Sequence, residues 1–149
     1  MPETARVLLV AAVLTASGLG VFAWRLARID PAEPARLIGE LRFAQWTALT
    51  LAAIGGAWIG VVASRPAPGL HSIDLTIAIA AIVIAAWTLQ RETRGALMTL
   101  CVAFLVHAII DTAHRPGWLP TDVAPRWFAL GCAAFNLWVS ALCYWVQRR

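Results

Sequence analysis

The sequence predicts an all-α integral membrane protein, a helical bundle of about five transmembrane helices in a single domain over residues 1–149. Hydrophobic residues make up 60% of the chain and charged residues only 13%, against about 25% charged in a typical soluble domain. The apolar residues fall into five long uncharged stretches separated by short charged segments. A bilayer solvates such stretches, because a helix satisfies its own backbone hydrogen bonds in lipid.

These uncharged stretches define the predicted helices in chain order. A spanning helix needs roughly 20 residues, and the first, second and fifth stretches approach that length unaided. The third and fourth are shorter, so they need polar flanking residues to cross the bilayer. The first is longer than the apolar core of a usual signal peptide, so we expect it to stay as a membrane helix. The stretches are residues 7–24, 43–64, 75–90, 95–110 and 127–147.

The segment between the first two stretches carries its own helix-start signal. Asp30, Pro31 and Glu33 resemble an acidic N-cap, a proline at the first helical position and a capping-box glutamate. Arg36 and Glu40 follow four residues apart, a spacing at which opposite charges meet on a helix. We expect a short helix along the membrane surface that turns into the second span, and a solvated connector is the alternative.

Small residues recur at four-residue spacing in the first two stretches. Ala12, Ala16 and Gly20 line one face of the first stretch, and Gly56 and Gly60 form a GxxxG motif in the second. Such faces let helix backbones approach closely in lipid. They predict packing within the bundle, a homo-oligomer, or a partner in a membrane complex, and the spacing alone does not separate these.

The distribution of arginine predicts the orientation. All twelve basic side chains are arginine, and the formal net charge is +4. In a five-helix path, four lie on the side of the N-terminus and eight on the other, so the positive-inside rule places the N-terminus outside and the C-terminus in the cytoplasm. We therefore expect a multi-pass protein of the cell (inner) membrane, with the bilayer and not nucleic acid as its partner. The eight are Arg25, Arg28, Arg36, Arg42, Arg91, Arg94, Arg148 and Arg149.

Polar residues concentrate at one predicted end of the third and fourth spans. The short polar turn between these spans predicts an antiparallel hairpin, in which His71 faces His114 and Asp74 faces Asp111. His107 lies four residues before Asp111 and adds a third imidazole one turn deeper on the same face. All three histidines are therefore expected near the outer boundary, together with two carboxylates.

This set of side chains predicts a transition-metal site. Imidazoles combined with carboxylates suit zinc, iron, manganese or copper, whereas calcium and magnesium prefer oxygen ligands alone. A metal with an open position activates a bound water, the usual basis of metal-assisted hydrolysis, here on a lipid or small substrate. Ionisable groups that border a span are costly and usually serve a function. The predicted ligands are His71, Asp74, His107, Asp111 and His114.

Several alternatives to the metal site remain open. The same groups without metal are able to relay protons or to hold a quinone or lipid headgroup, and a purely structural role at helix ends is the plainest explanation. The sequence contains no HExxH, CxxC, phosphate-binding loop or serine elbow, so it names no reaction. The main functional alternative is a non-catalytic accessory subunit of a larger membrane complex that docks through Gly56 and Gly60.

Asn136 lies near the middle of the fifth span. An amide at that depth must find a partner on another helix, so we expect it to hold two helices together. Few other polar side chains occupy the central parts of the spans, which makes a transporter or channel the least favoured function.

Overall fold

The computed structural model describes residues 3–63, 72–114 and 126–149, which form five α-helices and no strand. This confirms the predicted all-α bundle. Four helices are long and apolar enough to cross a membrane. The third has only 17 residues, and at about 1.5 Å per residue it falls short of a hydrocarbon core roughly 30 Å thick. The helices are α1 (Glu3–Leu26), α2 (Pro34–Ala63), α3 (Ser72–Thr88), α4 (Thr93–Ala113) and α5 (Arg126–Arg148).

Large apolar side chains cover much of the outside of the bundle as well as its core. Leu14, Leu49 and Val102 are each more than half exposed, which suits a surface that faces lipid chains and not water. Buried residues from all five helices meet in one main core. Its fully buried members include Phe43, Leu51, Leu97, Leu100, Phe104 and Val139.

The predicted surface helix before the second span is wrong, because α2 runs uninterrupted for 30 residues. Asp30 accepts a hydrogen bond through Oδ1 from the Ala32 backbone N–H at 2.9 Å. This bond caps a turn that precedes the helix. The helix itself begins at Pro34 and not at Pro31. Proline is tolerated at this position because the N–H that it lacks would have no partner in the first helical turn.

The helices pack mainly as two pairs, α4 on α5 and α2 on α3. The helices α3 and α4 are antiparallel neighbours, as the short turn predicted, but each has its main partner elsewhere. The helix α1 lies against α5 and α2. Trp138 of α5 rests on the small-residue face of α1, where its Nε1–H donates to the Ala16 carbonyl at 3.2 Å and its ring lies beside Gly20.

Gly55 sets the closest approach between α2 and α3. A Cβ at this position would lie 2.6 Å from the Ala78 carbonyl oxygen and 2.9 Å from Cγ1 of Ile82, so a larger residue forces the helices apart. Gly56 and Gly60 point elsewhere, with nothing within 4 Å of a Cβ placed on either. Among the described residues, nothing packs against the predicted GxxxG motif, and docking through it stays a prediction.

One buried guanidinium joins three helices at one end of the bundle. Arg36 is only 3% exposed, and its Nε donates to Glu40 Oε1 at 2.6 Å, which confirms the predicted pair. Its other nitrogens donate to the carbonyls of Leu26 in α1 and, at 3.3 Å, Val146 in α5. Carbonyls in the last turn of a helix lack intrahelical partners. Arg36 is the donor to the Val146 carbonyl and a second donor to the Leu26 carbonyl, which also accepts from the Ile29 backbone N–H at 3.2 Å. This part of the molecule is called the Arg36 end.

Candidate functional site

The polar residues of α3 and α4 lie at the opposite end of the bundle, called the His114 end. Asp74 lies in the first turn of α3, Asp111 in the last turn of α4, and His114 is the C-cap of α4. A carboxylate in a first helical turn is stabilised by the unpaired N–H groups there. All four predicted residues within the described ranges, these three and His107, line one small pocket. His71 lies outside the described residues.

Asp74 and His114 form a buried pair across α3 and α4. Nε2 of His114 lies 2.8 Å from Oδ1 of Asp74, and its Nδ1 lies 2.9 Å from the Ile110 carbonyl oxygen. Because a carbonyl oxygen only accepts, Nδ1 carries a proton. The contact with Asp74 then needs a second proton, either on Nε2 or on the carboxyl group. Both ring nitrogens are thus engaged, and His114 ligates a metal only if one of these contacts breaks.

The predicted register across the hairpin is wrong at this point. Asp74 contacts His114 and not Asp111, so α4 is displaced relative to α3 by about one turn. Asp111 instead accepts a hydrogen bond through Oδ2 from Nδ2 of Asn136 in α5 at 2.8 Å. This bond belongs to the most extensive helix contact of the bundle, that of α4 with α5.

Asn136 finds its predicted partner on another helix, but only half of its amide is used. The residue is 0% exposed, and its Oδ1 has no hydrogen-bond partner among the described residues. Buried polar atoms are satisfied in the great majority of cases. The polar group beside Asp111 therefore lacks one hydrogen-bond donor, the one that would pair with Oδ1 of Asn136.

Two aromatic residues that were not predicted from the sequence lie at the site: Trp58 lines the small pocket, and Phe128 packs against Trp58. The ring of Trp58 stacks on His114 with centroids 5.8 Å apart and planes 25° apart. Phe128 of α5 meets Trp58 edge-on at 6.1 Å. A signal was available for Trp58, which falls well inside the second stretch and not at its end, where interfacial tryptophans belong.

His107 differs from the other histidine in having no partner. It lies one turn deeper than Asp111 and is 6% exposed, and within the described residues its ring makes no hydrogen bond. It lines the small pocket with Asp74 and His114, and it also lines a much larger cavity. The ring is open to the groove, and a neutral imidazole there offers one donor and one acceptor to a ligand.

That larger cavity is a groove of about 440 Å³ between α3 and α4, open on its outer side. Leu51 of α2 lies at its base, and small and branched apolar residues of α3 and α4 form its walls. His107 is the ionisable residue among those that line it. The groove is therefore apolar along its length and polar where it meets the pocket. Wall residues include Ile77, Ala80, Ile84, Met98, Val102 and Val106.

The described side chains form pairs and do not converge on a single point. Within residues 3–63, 72–114 and 126–149, no group of three or more His, Cys, Asp and Glu side chains is arranged to hold a metal ion. Asp74 is engaged with His114, Asp111 with Asn136, and His107 stands alone. The metal site, which includes His71, stays a prediction.

Comparison with known proteins gives no relative for this arrangement. No protein-family model, curated protein or solved structure matches the chain, so its function has to be inferred from the side chains of the pocket and the groove.

Proposed function

We propose that this is a multi-pass membrane protein that binds an amphiphilic small molecule or lipid drawn from the bilayer. The apolar chain of the ligand lies in the groove between α3 and α4, and its polar group pairs with His107 beside Asp111. The observation that carries the proposal is the position of His107, which lines both the apolar groove and the polar pocket.

The dimensions and lining of the groove support this ligand class. Its volume of about 440 Å³ lies within the range of roughly 300–1,000 Å³ that is usual for small-molecule sites. Such sites are mostly apolar with a few placed polar groups, which describes this groove with His107 at its end. An opening toward the lipid side lets a ligand enter from within the bilayer.

The end of the groove at His107 has the chemistry to bind a hydrogen-bonding head group, whereas the small pocket behind it, at about 10 Å³, has room for no more than a water. A neutral imidazole offers one donor and one acceptor, and His107 uses neither within the described residues. The buried pair of Asp74 and His114, with Nε2 and Oδ1 2.8 Å apart, lines the same small pocket as His107. A ligand hydroxyl or carbonyl at His107 would therefore lie near a group that is able to give up or take a proton, the requirement for general acid–base chemistry.

A groove-filling substitution tests the proposal. Val106→Trp places a large ring in the groove, and Val83→Trp places the same ring on an exposed face of α3 away from the groove. We expect mass spectrometry of protein purified in mild detergent to find a bound amphiphile in the wild type and in Val83→Trp, and to find it lost in Val106→Trp. Equal lipid content in all three proteins would show that the groove holds no specific ligand.

A transition metal is the second candidate, favoured by the free imidazole of His107 next to Asp111. Zinc, iron, manganese or copper would suit these ligands, with His71 and a released His114 completing the set. Elemental analysis of the wild type and of a His107→Ala/His114→Ala variant tests this. The expected result is bound metal in the wild type alone, and its absence from the wild type ends this candidate.

The alternative of an accessory subunit has one supporting observation, the unpacked outward face of Gly56 and Gly60 on α2. It predicts that Gly56→Leu/Gly60→Leu abolishes co-purification of a partner, or self-association, and leaves the amphiphile bound.

In the proposed orientation the His114 end faces outward and the Arg36 end faces the cytoplasm.

A further inference from the structure

One arrangement of aromatic and arginine side chains recurs at the Arg36 end. Where α1, α3 and α5 end, an aromatic residue is followed four positions later by an arginine whose guanidinium lies over the ring. Distances run from the guanidinium carbon to the ring centroid. The pairs are Trp24 with Arg28 at 3.6 Å, Trp87 with Arg91 at 4.4 Å, Tyr144 with Arg148 at 4.9 Å and Trp145 with Arg149 at 6.0 Å. These four pairs are called the collar.

The collar arginines keep their hydrogen-bonding capacity. Within the described residues none of them donates a hydrogen bond, and a cation–π contact with a ring does not consume the N–H donors of a guanidinium. In the part of the chain that the structure describes, arginine forms an ion pair only at Arg36, with Glu40. The collar arginines are exposed, and a guanidinium edge matches two oxygens of a phosphate group.

The charge of the chain is concentrated at this end. Eight arginines and four acidic side chains are predicted on the cytoplasmic side. The net charge of this side is therefore +4, which equals the formal net charge of the whole chain. Helix C-termini attract arginine, but that attraction does not require a ring beneath each one. The rings themselves are about half exposed at Trp24, Trp87 and Tyr144, as expected at headgroup depth. The four acidic residues are Asp30, Glu33, Glu40 and Glu92.

We propose that the collar is a binding surface for the phosphate groups of anionic phospholipids. Each ring fixes the depth and orientation of its arginine, so the guanidinium edge meets the headgroup phosphate without first losing side-chain freedom. The partner is the lipid surface itself, and a net negative headgroup is preferred over a zwitterionic one because the collar has no acidic side chain among its members.

Two triple variants with the same loss of charge test this in the full chain, reconstituted in mixed vesicles. The collar variant is Arg28→Gln/Arg91→Gln/Arg148→Gln. The control is Arg25→Gln/Arg42→Gln/Arg94→Gln, which removes three arginines of the same end that have no ring contact within the described residues. Spin-labelled phosphatidylglycerol and phosphatidylcholine report the preference of the protein for the anionic lipid.

We expect the wild type to prefer phosphatidylglycerol, the collar variant to lose about fivefold of that preference or more, and the control variant to lose less than the collar variant. A Trp24→Leu/Trp87→Leu/Tyr144→Leu variant keeps every charge and is also expected to lose preference. Equal losses in the two arginine variants, or full preference without the rings, would overturn the proposal. So would displacement of the labelled lipid by millimolar inorganic phosphate. Circular dichroism and size-exclusion profiles confirm that each variant is folded.

Discussion

The two ends of the bundle treat buried polar groups in opposite ways. At the Arg36 end, a single guanidinium has an acceptor for each of its nitrogens, Glu40 and two terminal carbonyls. At the His114 end, Oδ1 of Asn136 is buried with no donor among the described residues, and the ring of His107 faces the groove without a hydrogen bond to any of them. Buried polar groups that are fully paired stabilise a fold, whereas unpaired ones are costly and are retained where they serve a function.

The difference also appears in how closely the helices approach. At Gly55, the backbone of α2 lies directly against the Ala78 backbone carbonyl of α3. The face of α3 that turns toward α4 is separated from it by the groove. The helix α3 therefore packs tightly against α2 and is separated from α4 by a groove. His107, whose ring has no partner among the described residues, lies at the end of this groove.

Loss of the guanidinium at the Arg36 end should cause the largest loss of stability. Arg36→Ala removes the partner of Glu40, leaves the Val146 carbonyl of α5 without a donor and removes one of two donors to the Leu26 carbonyl, so the free energy of unfolding should fall by about 3 kcal/mol. Unfolding in mild detergent with added denaturing detergent, followed by circular dichroism, measures it. Arg42→Ala, an exposed position on the same helix, is the control. Equal effects at the two positions would mean that the guanidinium does not hold the three helices together.

A methyl group at Gly55 should have the next largest effect. Gly55→Ala places a Cβ against the Ala78 carbonyl, and overpacking of this kind costs about 1–3 kcal/mol. Gly56→Ala is the matched control, since it adds the same group to the next residue of the same helix in open space. Alanine is also a better helix former by about 1 kcal/mol, so the control should be neutral or stabilising. The same unfolding measurement compares the two, and a Gly55→Ala protein as stable as Gly56→Ala would contradict the close approach.

These contrasts show why some of the fold could be predicted from the sequence and some could not. Runs of apolar residues report on single helices, so the five helices and the partner of Asn136 on another helix were predictable. Arg36 and Glu40 were predictable as a pair because residues four apart meet on one face of a single helix. The rotation of one helix against the next depends on which faces pack, so the contact of Asp74 with His114 and not with Asp111 was not predictable.

The aromatic residues at the site and the groove lay beyond sequence analysis for a related reason. Trp58 and Phe128 belong to different helices, and nothing in their spacing brings them to His114. A groove is a separation between helices, which no single segment encodes. Gly55 and Gly56 illustrate the limit, since adjacent glycines in one apolar run differ completely in what surrounds them.

The contact between Asp111 and Asn136 should have a moderate effect. Asn136→Ala removes the donor to Asp111 Oδ2, and hydrogen bonds between membrane helices contribute about 0.6–2 kcal/mol. A double-mutant cycle with Asp111→Ala isolates this coupling from the other losses that each substitution causes. The coupling should fall in that range. Additive effects of the two substitutions would show that the side chains do not interact in the folded protein.

The smallest effect on stability, and the most informative, is expected at His107. Because its ring has no partner within the described residues, His107→Leu should leave the free energy of unfolding unchanged or raise it slightly, while removing the polar group that the proposed ligand needs. Unfolding and mass spectrometry of the bound amphiphile are measured on the same preparation. His114→Leu is the contrasting variant, because it breaks the contacts with Asp74 and the Ile110 carbonyl and should destabilise the protein. If His107→Leu destabilises the bundle as much as His114→Leu does, His107 is a structural residue. The proposed difference between paired polar groups at the Arg36 end and an unpaired imidazole at the His114 end would then be wrong.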